Sequence, residues 1–179
     1  MLEGILLEAG KSVGAFTSPH LVHVLERIRV KGRPVEEKIF LRAMNRIRPH
    51  LDRIRPTFFE IMTAASFVVF RECGVEWAIV EVGLGGTLDS TNIIRPEVSV
   101  LTTIDLDHTE VLGGTIAEIA ADKAGIIKPN VPVFVSSRKR DALSAIRQKA
   151  TECGSPLFRV GREIRVRGAT RSRNGMLQF

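Results

Sequence analysis

Short apolar segments alternate with helix-like segments along most of the chain, and this alternation limits the possible folds more than any other feature. One of the helix-like segments is amphipathic and another is apolar around most of its circumference. Apolar strands separated by helices are typical of a mainly parallel sheet with helices on both faces. The sequence therefore predicts a doubly wound α/β fold. The predicted strands are 12–16, 76–82, 97–104, 131–136 and 156–160, and the predicted helices are 35–54, 58–74, 115–125 and 140–154.

Length and composition fit one soluble domain. The chain has 179 residues, of which 44% are hydrophobic and 26% charged, enough for a sizeable core. We predict one domain over residues 1–160, with 161–179 as a basic C-terminal segment that forms a strand and tail of the same domain. No stretch approaches the roughly 20 apolar residues of a membrane span, and the N-terminus lacks the basic region of a secretory signal. Two cysteines, Cys73 and Cys153, make no disulfide framework, which favours a cytoplasmic location.

Six arginines lie between Arg159 and Arg173 and account for much of the net charge of +6. Such a stripe can bind nucleic acid. However, Ile164 and Val166 alternate with arginines, as expected for a half-buried strand seen from its solvent side, and no aromatic ring follows Phe158 before the C-terminal residue. A solvated face is the favoured interpretation, an acidic small-molecule partner is the second, and nucleic acid is the least favoured.

Polar residues follow three of the predicted strands. In a parallel sheet the carboxyl ends of the strands lie at one edge, where ligands bind, so we expect these groups to converge. Each also has a structural explanation as a turn, an ion-pair partner or a cap of the following turn. The residues are Thr17, Ser18 and His20 after the first strand, Glu81 and the glycines 83, 85 and 86 at the second, and Asp105, Asp107 and His108 after the third.

This mixture of hydroxyl, carboxylate and imidazole groups suits Mg²⁺ or Mn²⁺ holding phosphate oxygens better than structural zinc. The glycines, including Gly85 and Gly86, would let the backbone approach an anion. A second phosphate-loop candidate, residues 4–12, is rejected. It has five residues between its glycines where the motif needs four, and it runs from helix into strand rather than the reverse.

Several stretches together resemble the folylpolyglutamate synthase / dihydrofolate synthase family, within the wider Mur-ligase group of ATP-dependent amide-forming enzymes. The resemblance covers roughly residues 5–136 in the family's order. It implies a Mur-ligase-like central, ATP-binding domain that is incomplete here. The matching stretches are "FTSPHL" with "ERIRV" (16–30), "TFFE" (57–60), "EVGLGGTLDSTN" (81–92), "TTIDLDHTEVLG" (102–113) and "DKAGIIKP" (122–129).

The resemblance also implies that residues 1–179 are a fragment of a larger, monomeric enzyme. Family members carry a phosphate loop before the helix in which this sequence begins, and a smaller C-terminal domain. We expect neither in this chain, and therefore expect no activity from it alone. The DNA directly upstream of Met1 tests this expectation.

By resemblance, the reaction is ATP-dependent phosphorylation of a pteroate or folate carboxylate, followed by attack of the amino group of L-glutamate on the acyl phosphate. Ser18, Glu81 and His108 would then be metal ligands, and His108 and Lys123 catalytic, with Lys123 carbamylated. Dihydropteroate or folate would contact Pro19, His20, Thr57, Phe59, Asp89 and Ser90. Asn92, Gly85 and Gly86 would lie at the bound ATP.

Two alternatives remain open from the sequence. The chain could be a non-catalytic remnant that binds metal or folate, or part of a Mur-type ligase that builds cell-wall peptides on UDP-linked substrates. The "TSPHL" and "TFFE" stretches weigh against the second alternative. The sequence does not distinguish dihydrofolate synthase from folylpolyglutamate synthase or from a bifunctional enzyme.

Overall fold

The structure is a computed structural model that describes residues 1–165, 170–171 and 177–178. The chain divides into two compact units. The first unit comprises Met1–Leu84 and Asp89–Ile93, and the second comprises Gly85–Leu88 and Ile94–Phe179. The glycine-rich loop after residue 82 thus contributes segments to both units.

The first unit contains a four-stranded sheet with the strand order β3-β2-β1-β4. Strands β1 and β4 are parallel neighbours, whereas β2 and β3 are antiparallel additions on the other side of β1. Its elements are α1 (Leu2–Glu8), β1 (Val13–Phe16), a 3-10 helix (Val24–Arg27), β2 (Ile28–Val30), β3 (Arg33–Pro34), α2 (Glu37–Ile54), α3 (Phe58–Glu72), β4 (Trp77–Val80) and a 3-10 helix (Ser90–Ile93).

Helices α2 and α3 form the core of the first unit with β1 and β2. Fully buried side chains from all four elements meet there, among them Phe16, Ile28, Ala43 and Met62. Helix α2 runs through Pro49 without interruption.

The second unit contains a three-stranded, fully parallel sheet with the order β5-β6-β7. Its core lies between this sheet and the packed pair α5 and α6, with Ile119, Val133 and Ile146 fully buried. The elements are β5 (Ser99–Leu101), α4 (Thr109–Leu112), α5 (Ile116–Lys123), a 3-10 helix (Ala124–Ile126), β6 (Val133–Val135), α6 (Arg140–Glu152), β7 (Leu157–Arg159), β8 (Thr170–Arg171) and β9 (Leu177–Gln178).

The predicted α/β class is confirmed, and the five strands and four helices predicted between residues 12 and 160 are all present. Most have shorter ends than predicted, and the strand predicted over 97–104 shortens most, to Ser99–Leu101. One detail of the prediction was missing. The antiparallel strands β2 and β3 were not predicted. Runs as short as three and two residues carry too little periodicity to be recognised in the sequence.

The predicted strand through the arginine-rich segment falls partly outside the described residues. Val160 pairs with Ile164 in an isolated bridge, and a turn lies between them. Val166 and Arg167 are among the residues that the structure does not describe. No helix in the described part of the chain is long and apolar enough to cross a membrane. The domain boundary at residue 160 stays a prediction.

Candidate functional site

The ends of β1 and β4 bring two predicted site residues together. Because these strands are parallel neighbours, the residues that follow them leave the sheet at the same edge. The backbone N–H of Ser18 donates a hydrogen bond of 2.8 Å to Oε2 of Glu81. The Ser18–Pro19 peptide bond is cis. One role of Glu81 in the described structure is therefore to hold the start of the Ser-Pro-His loop.

Glu26 holds the rest of that loop. Its carboxylate accepts hydrogen bonds from the backbone N–H groups of Leu21, Val22 and His23. These bonds, led by the one from Leu21, lower the pKa of Glu26 below its ordinary value. Leu21 and Val22 remain about 90% exposed, at 92% and 89%. The loop is thus ordered by its polar backbone and not by burial of its apolar side chains.

Asp89 organises one part of the glycine-rich loop. Its Oδ2 atom accepts hydrogen bonds of 3.0 Å from the backbone N–H groups of both Gly83 and Leu84. Its Oδ1 atom accepts from the backbone N–H and the hydroxyl of Thr91. Four donors occupy this carboxylate, so the structure gives Asp89 a loop-forming role, and the predicted substrate contact stays a prediction.

Phe59 lies against the same loop. Its ring is 5.6 Å from that of Phe16, between ring centroids, and a Cβ atom on Gly83 would overlap it. Gly83 is therefore required by the close approach of a side chain within the first unit. Phe59 is half-buried, which allows one side of the ring to pack on the core while another remains available to a ligand.

Thr57 and Ser90 each have a structural partner in the first unit. Thr57 is the N-cap of α3 and forms a capping box with Glu60. The Ser90 hydroxyl lies 2.8 Å from that of Thr63. As with Asp89, these contacts explain the residues without a ligand, and their predicted roles in binding stay predictions.

These elements enclose a cleft of about 360 Å³ within the first unit. An aromatic residue and an arginine are among the residues that line this space, a combination that suits a flat ring system with an anionic group. The residues lining the cleft are 18–19, Arg27, Phe59, 83–84 and Asp89. We call it the first-unit cleft.

In the second unit, residues 85–88 pack against the end of α5. A Cβ atom on Gly86 would lie 2.7 Å from the carbonyl oxygen of Asp122 and 2.9 Å from Cα of Lys123. Gly85 has a φ of +70°, and a Cβ atom there would overlap the Asp122 carboxylate. Both the N–H and the hydroxyl of Thr87 donate to the Asp122 carbonyl. Packing alone thus requires these glycines, and their contact with ATP stays a prediction.

The predicted residues after β5 also belong to the second unit. His108 adopts a left-handed backbone conformation with φ of 48°, directly before α4. Its Nε2 atom is 3.8 Å from Oδ2 of Asp107, and its backbone N–H donates to Oδ1 of the same carboxylate. Asp105 pairs with Lys139, and this hydrogen bond lowers the pKa of Asp105. Asp105 and Asp107 thus make the contacts expected of an ion-pair partner and of a residue that caps the following turn.

The donor chemistry of the first unit fits a hard divalent cation. Oε1 of Glu81 accepts no hydrogen bond in the described structure, whereas Oε2 is used by Ser18. A carboxylate oxygen and a hydroxyl are ligands that Mg²⁺ prefers. Among the described residues no group of three or more histidine, cysteine, aspartate and glutamate side chains could hold a metal ion. The proposed ligand set includes only two residues of those types, so the set with His108 stays a prediction.

Sequence reasoning missed Arg27 as a residue of the cleft. The register that pairs Phe16 with Ile28 brings Arg27 level with Thr17, and the backbone N–H of Thr17 donates to the Arg27 carbonyl. The prediction lacked strand β2, and so had no means of bringing Arg27 to the end of β1. A signal was present in the alternation of "ERIRV", which indicates a strand with arginines on one face.

Comparison with known proteins assigns the chain to a family. Residues 39–174 match the family described as the Mur ligase middle domain. The chain belongs to the Mur ligase family. The Bacillus subtilis protein named dihydrofolate synthase/folylpolyglutamate synthase is 41% identical over 162 residues, which cover 87% of this chain and 38% of the relative. The chain thus spans little more than a third of that relative's length.

Two solved structures of Mur ligase family relatives have the same fold. The apo form of Lacticaseibacillus casei FPGS matches with a TM-score of 0.89 and 35% identity, covering 97% of this chain and 47% of that one. Escherichia coli FolC in complex with DHPP and ADP matches with a TM-score of 0.86 and 40% identity, covering 90% and 39% of the two chains. The family and the fold that the resemblance implied are confirmed.

Proposed function

We propose that this chain carries the folate-binding part of an ATP-dependent ligase that joins a pteroate or folate carboxylate to L-glutamate. The observation that supports this most is the 41% identity to a dihydrofolate synthase/folylpolyglutamate synthase across 162 residues. The E. coli relative was solved with ADP, in keeping with ATP as the second substrate. Phosphorylation of the carboxylate gives an acyl phosphate, from which the amine of glutamate displaces phosphate.

In this proposal the first-unit cleft binds the folate-type substrate. The ring of Phe59 packs against the flat pterin, and Pro19 lines the same cleft. His20 is proposed to contact the substrate beside Arg27, to which it is hydrogen-bonded. Thr57, Asp89 and Ser90 keep the helix start and the loop in place and contact the pterin from their exposed sides. The predicted substrate residues therefore act partly by shaping the cleft.

Ser18, Glu81 and His108 are the proposed ligands of Mg²⁺ or Mn²⁺. When bound, the metal neutralises phosphate oxygens and so lowers the barrier to phosphoryl transfer. Glu81 offers its Oε1 atom while Ser18 keeps Oε2 in position. Lys123, at the end of α5, is proposed to be carbamylated, since a carbamate would supply anionic oxygens where an ammonium would repel cations. Gly85, Gly86 and Asn92 are proposed to lie near ATP.

We also propose that the protein is cytoplasmic and that the whole enzyme is monomeric. Cys73 and Cys153 are both free thiols, and burial raises the pKa of Cys73. A thiol with a raised pKa is less reactive, which suits a structural residue in a reducing compartment.

A calorimetric titration tests the binding part of the proposal. Dihydropteroate and Mg²⁺ are titrated separately and together into the wild-type chain, into Glu81→Ala and into Glu97→Ala as an exposed control. We expect the wild type and the control to bind both probes. We expect Glu81→Ala to lose Mg²⁺ binding by at least about tenfold, because a carboxylate ligand has been removed. Absence of dihydropteroate binding by the wild type would contradict the proposal.

An activity assay tests the catalytic part. The chain is mixed with ATP, Mg²⁺, dihydropteroate and glutamate, and phosphate release is followed. Because the chain spans only 38% of its B. subtilis relative, we expect substrate binding without turnover near ~1 s⁻¹. Full turnover would show that 179 residues suffice for catalysis and would contradict this expectation.

A further inference from the structure

Arg27 is held in the first-unit cleft by two neighbours. Its Nε atom donates a hydrogen bond of 2.8 Å to Nδ1 of His20. Its guanidinium carbon lies 5.3 Å from the centroid of the Phe58 ring, which is the geometry of a cation–π contact. The residue is half-buried. These contacts fix the guanidinium through Nε and one face, and they leave the outer edge with its two Nη atoms unused.

In the described part of the chain, no carboxylate pairs with Arg27. The acidic groups around the cleft already have backbone donors, since Asp89 accepts four hydrogen bonds and Glu81 accepts one from Ser18. Arg29, two residues along, makes the contrast clear, because it forms an ion pair of 3.0 Å with Glu3. A guanidinium fork matches a carboxylate or a phosphate, so the unused outer edge of Arg27 in a cleft points to a ligand that supplies the anion.

We infer that Arg27 binds the anionic group of the ligand in the first-unit cleft, through the paired Nη atoms that His20 and Phe58 hold in place. The group is a carboxylate, or the phosphate that forms on it, because both match the planar fork of a guanidinium. His20 is then a positioning residue that acts through Arg27. This inference rests on the proposed function for the identity of the ligand.

The test compares ligands that differ only in charge. Dihydropteroate and its methyl ester, which lacks the anionic group, are titrated into the wild type, Arg27→Lys, His20→Ala and Arg48→Lys. Arg48 is exposed on α2 and forms no described contact, so Arg48→Lys is the matched control. Thermal melting of each variant checks that it is folded. Inorganic phosphate is the second probe, added alone and as a competitor of dihydropteroate.

We expect Arg27→Lys to weaken dihydropteroate binding about 10- to 100-fold, as for a lost charge-assisted bidentate contact. Binding of the methyl ester should stay unchanged, and His20→Ala should show the same selectivity with a smaller loss. If inorganic phosphate displaces dihydropteroate, Arg27 binds both the carboxylate and the phosphate that forms on it. If phosphate does not displace dihydropteroate, Arg27 binds the carboxylate alone.

The inference and the proposed function can fail separately. Equal affinity of folded wild type and Arg27→Lys for dihydropteroate, or equal wild-type affinity for acid and ester, would overturn the role of Arg27. If the wild type binds phosphate but not dihydropteroate, and Arg27→Lys binds phosphate less well, the anion site stands and the folate proposal fails. Binding of neither probe would overturn both.

Discussion

The two parts of the glycine-rich loop are held in place by different physical means. In the first unit, the Asp89 carboxylate gathers the backbone N–H groups of Gly83 and Leu84. In the second unit, Gly85 and Gly86 have no side chain, and this lets residues 85–88 lie directly on the backbone at the end of α5. One part depends on hydrogen bonds to a charge and the other on close steric fit.

This difference shows how much of a ligand-binding motif can be required by folding. Five residues of "GLGGTLD" are explained by contacts within the chain, before any anion or metal is considered: Gly83, Gly85, Gly86, Thr87 and Asp89. A motif of this kind is therefore good evidence for a fold. The binding roles have to be measured separately, at residues whose contacts leave a functional group unused.

The strongest way to disrupt the steric part is Gly86→Ala. The new Cβ atom would lie 2.7 Å from the Asp122 carbonyl oxygen and 2.8 Å from that of Lys123. Backbone atoms at a helix end cannot move aside easily, so we expect a loss of about 3 kcal/mol in the free energy of unfolding. Urea unfolding measures it. Gly114→Ala is the control, because nothing lies within 4 Å of its added Cβ atom. Equal stability of the two variants would show that the loop relaxes.

The hydrogen-bonded part is disrupted by Asp89→Asn, with an intermediate effect. An asparagine amide would place an NH₂ group against donors that now meet an oxygen, whether those donors are Gly83 and Leu84 or Thr91. We expect a loss of about 1–2 kcal/mol, the usual cost of unsatisfied donors of this kind. Hydrogen exchange should show faster exchange at the Gly83 and Leu84 amides.

Asp52→Asn, at an exposed position on α2, is the control for this substitution. Unchanged protection of Gly83 and Leu84 in Asp89→Asn would mean that the carboxylate does not hold the loop.

The smallest expected effect is a change in how stability depends on pH, and it arises from Glu60 at the start of α3. Hydrogen bonds from the backbone N–H and then the hydroxyl of Thr57 lower the pKa of Glu60. The folded state therefore favours the carboxylate. Its stabilising contribution is complete above the ordinary glutamate pKa of about 4.3 and is lost as pH falls through the lowered value. We expect Glu60→Gln to lose less stability than the wild type between pH 5 and 3 (about two pH units).

Thr57→Ala removes the hydroxyl, which donates to the Glu60 carboxylate and accepts from the Glu60 N–H, but it keeps the backbone N–H donor to the carboxylate. Its loss of stability with acid should therefore lie between those of the wild type and Glu60→Gln. The measurement is the urea midpoint at each pH. Identical acid dependence of all three proteins would show that this capping box contributes nothing to the pH response.

The sequence was sufficient to predict the longer elements and to predict that Ser18 and Glu81 lie close together. Helix α3 and strand β4 have strong patterns, and the parallel pairing of β1 with β4 follows from the helices between them. It was insufficient for β2, because the alternation in "ERIRV" covers too few residues to decide for a strand, and it was therefore insufficient for Arg27. It also could not show that Asp89 already has four donors, since hydrogen-bond partners depend on how the loop closes.

The most direct test of the account is to map dihydropteroate binding by NMR on the isotope-labelled chain. If the first-unit cleft is the folate site, amide shifts should change first at Ser18, Arg27, Phe59, Gly83 and Leu84. The amides of β6 and α6 should stay unchanged. Shifts confined to the second unit, or no shifts at saturating dihydropteroate, would contradict the account.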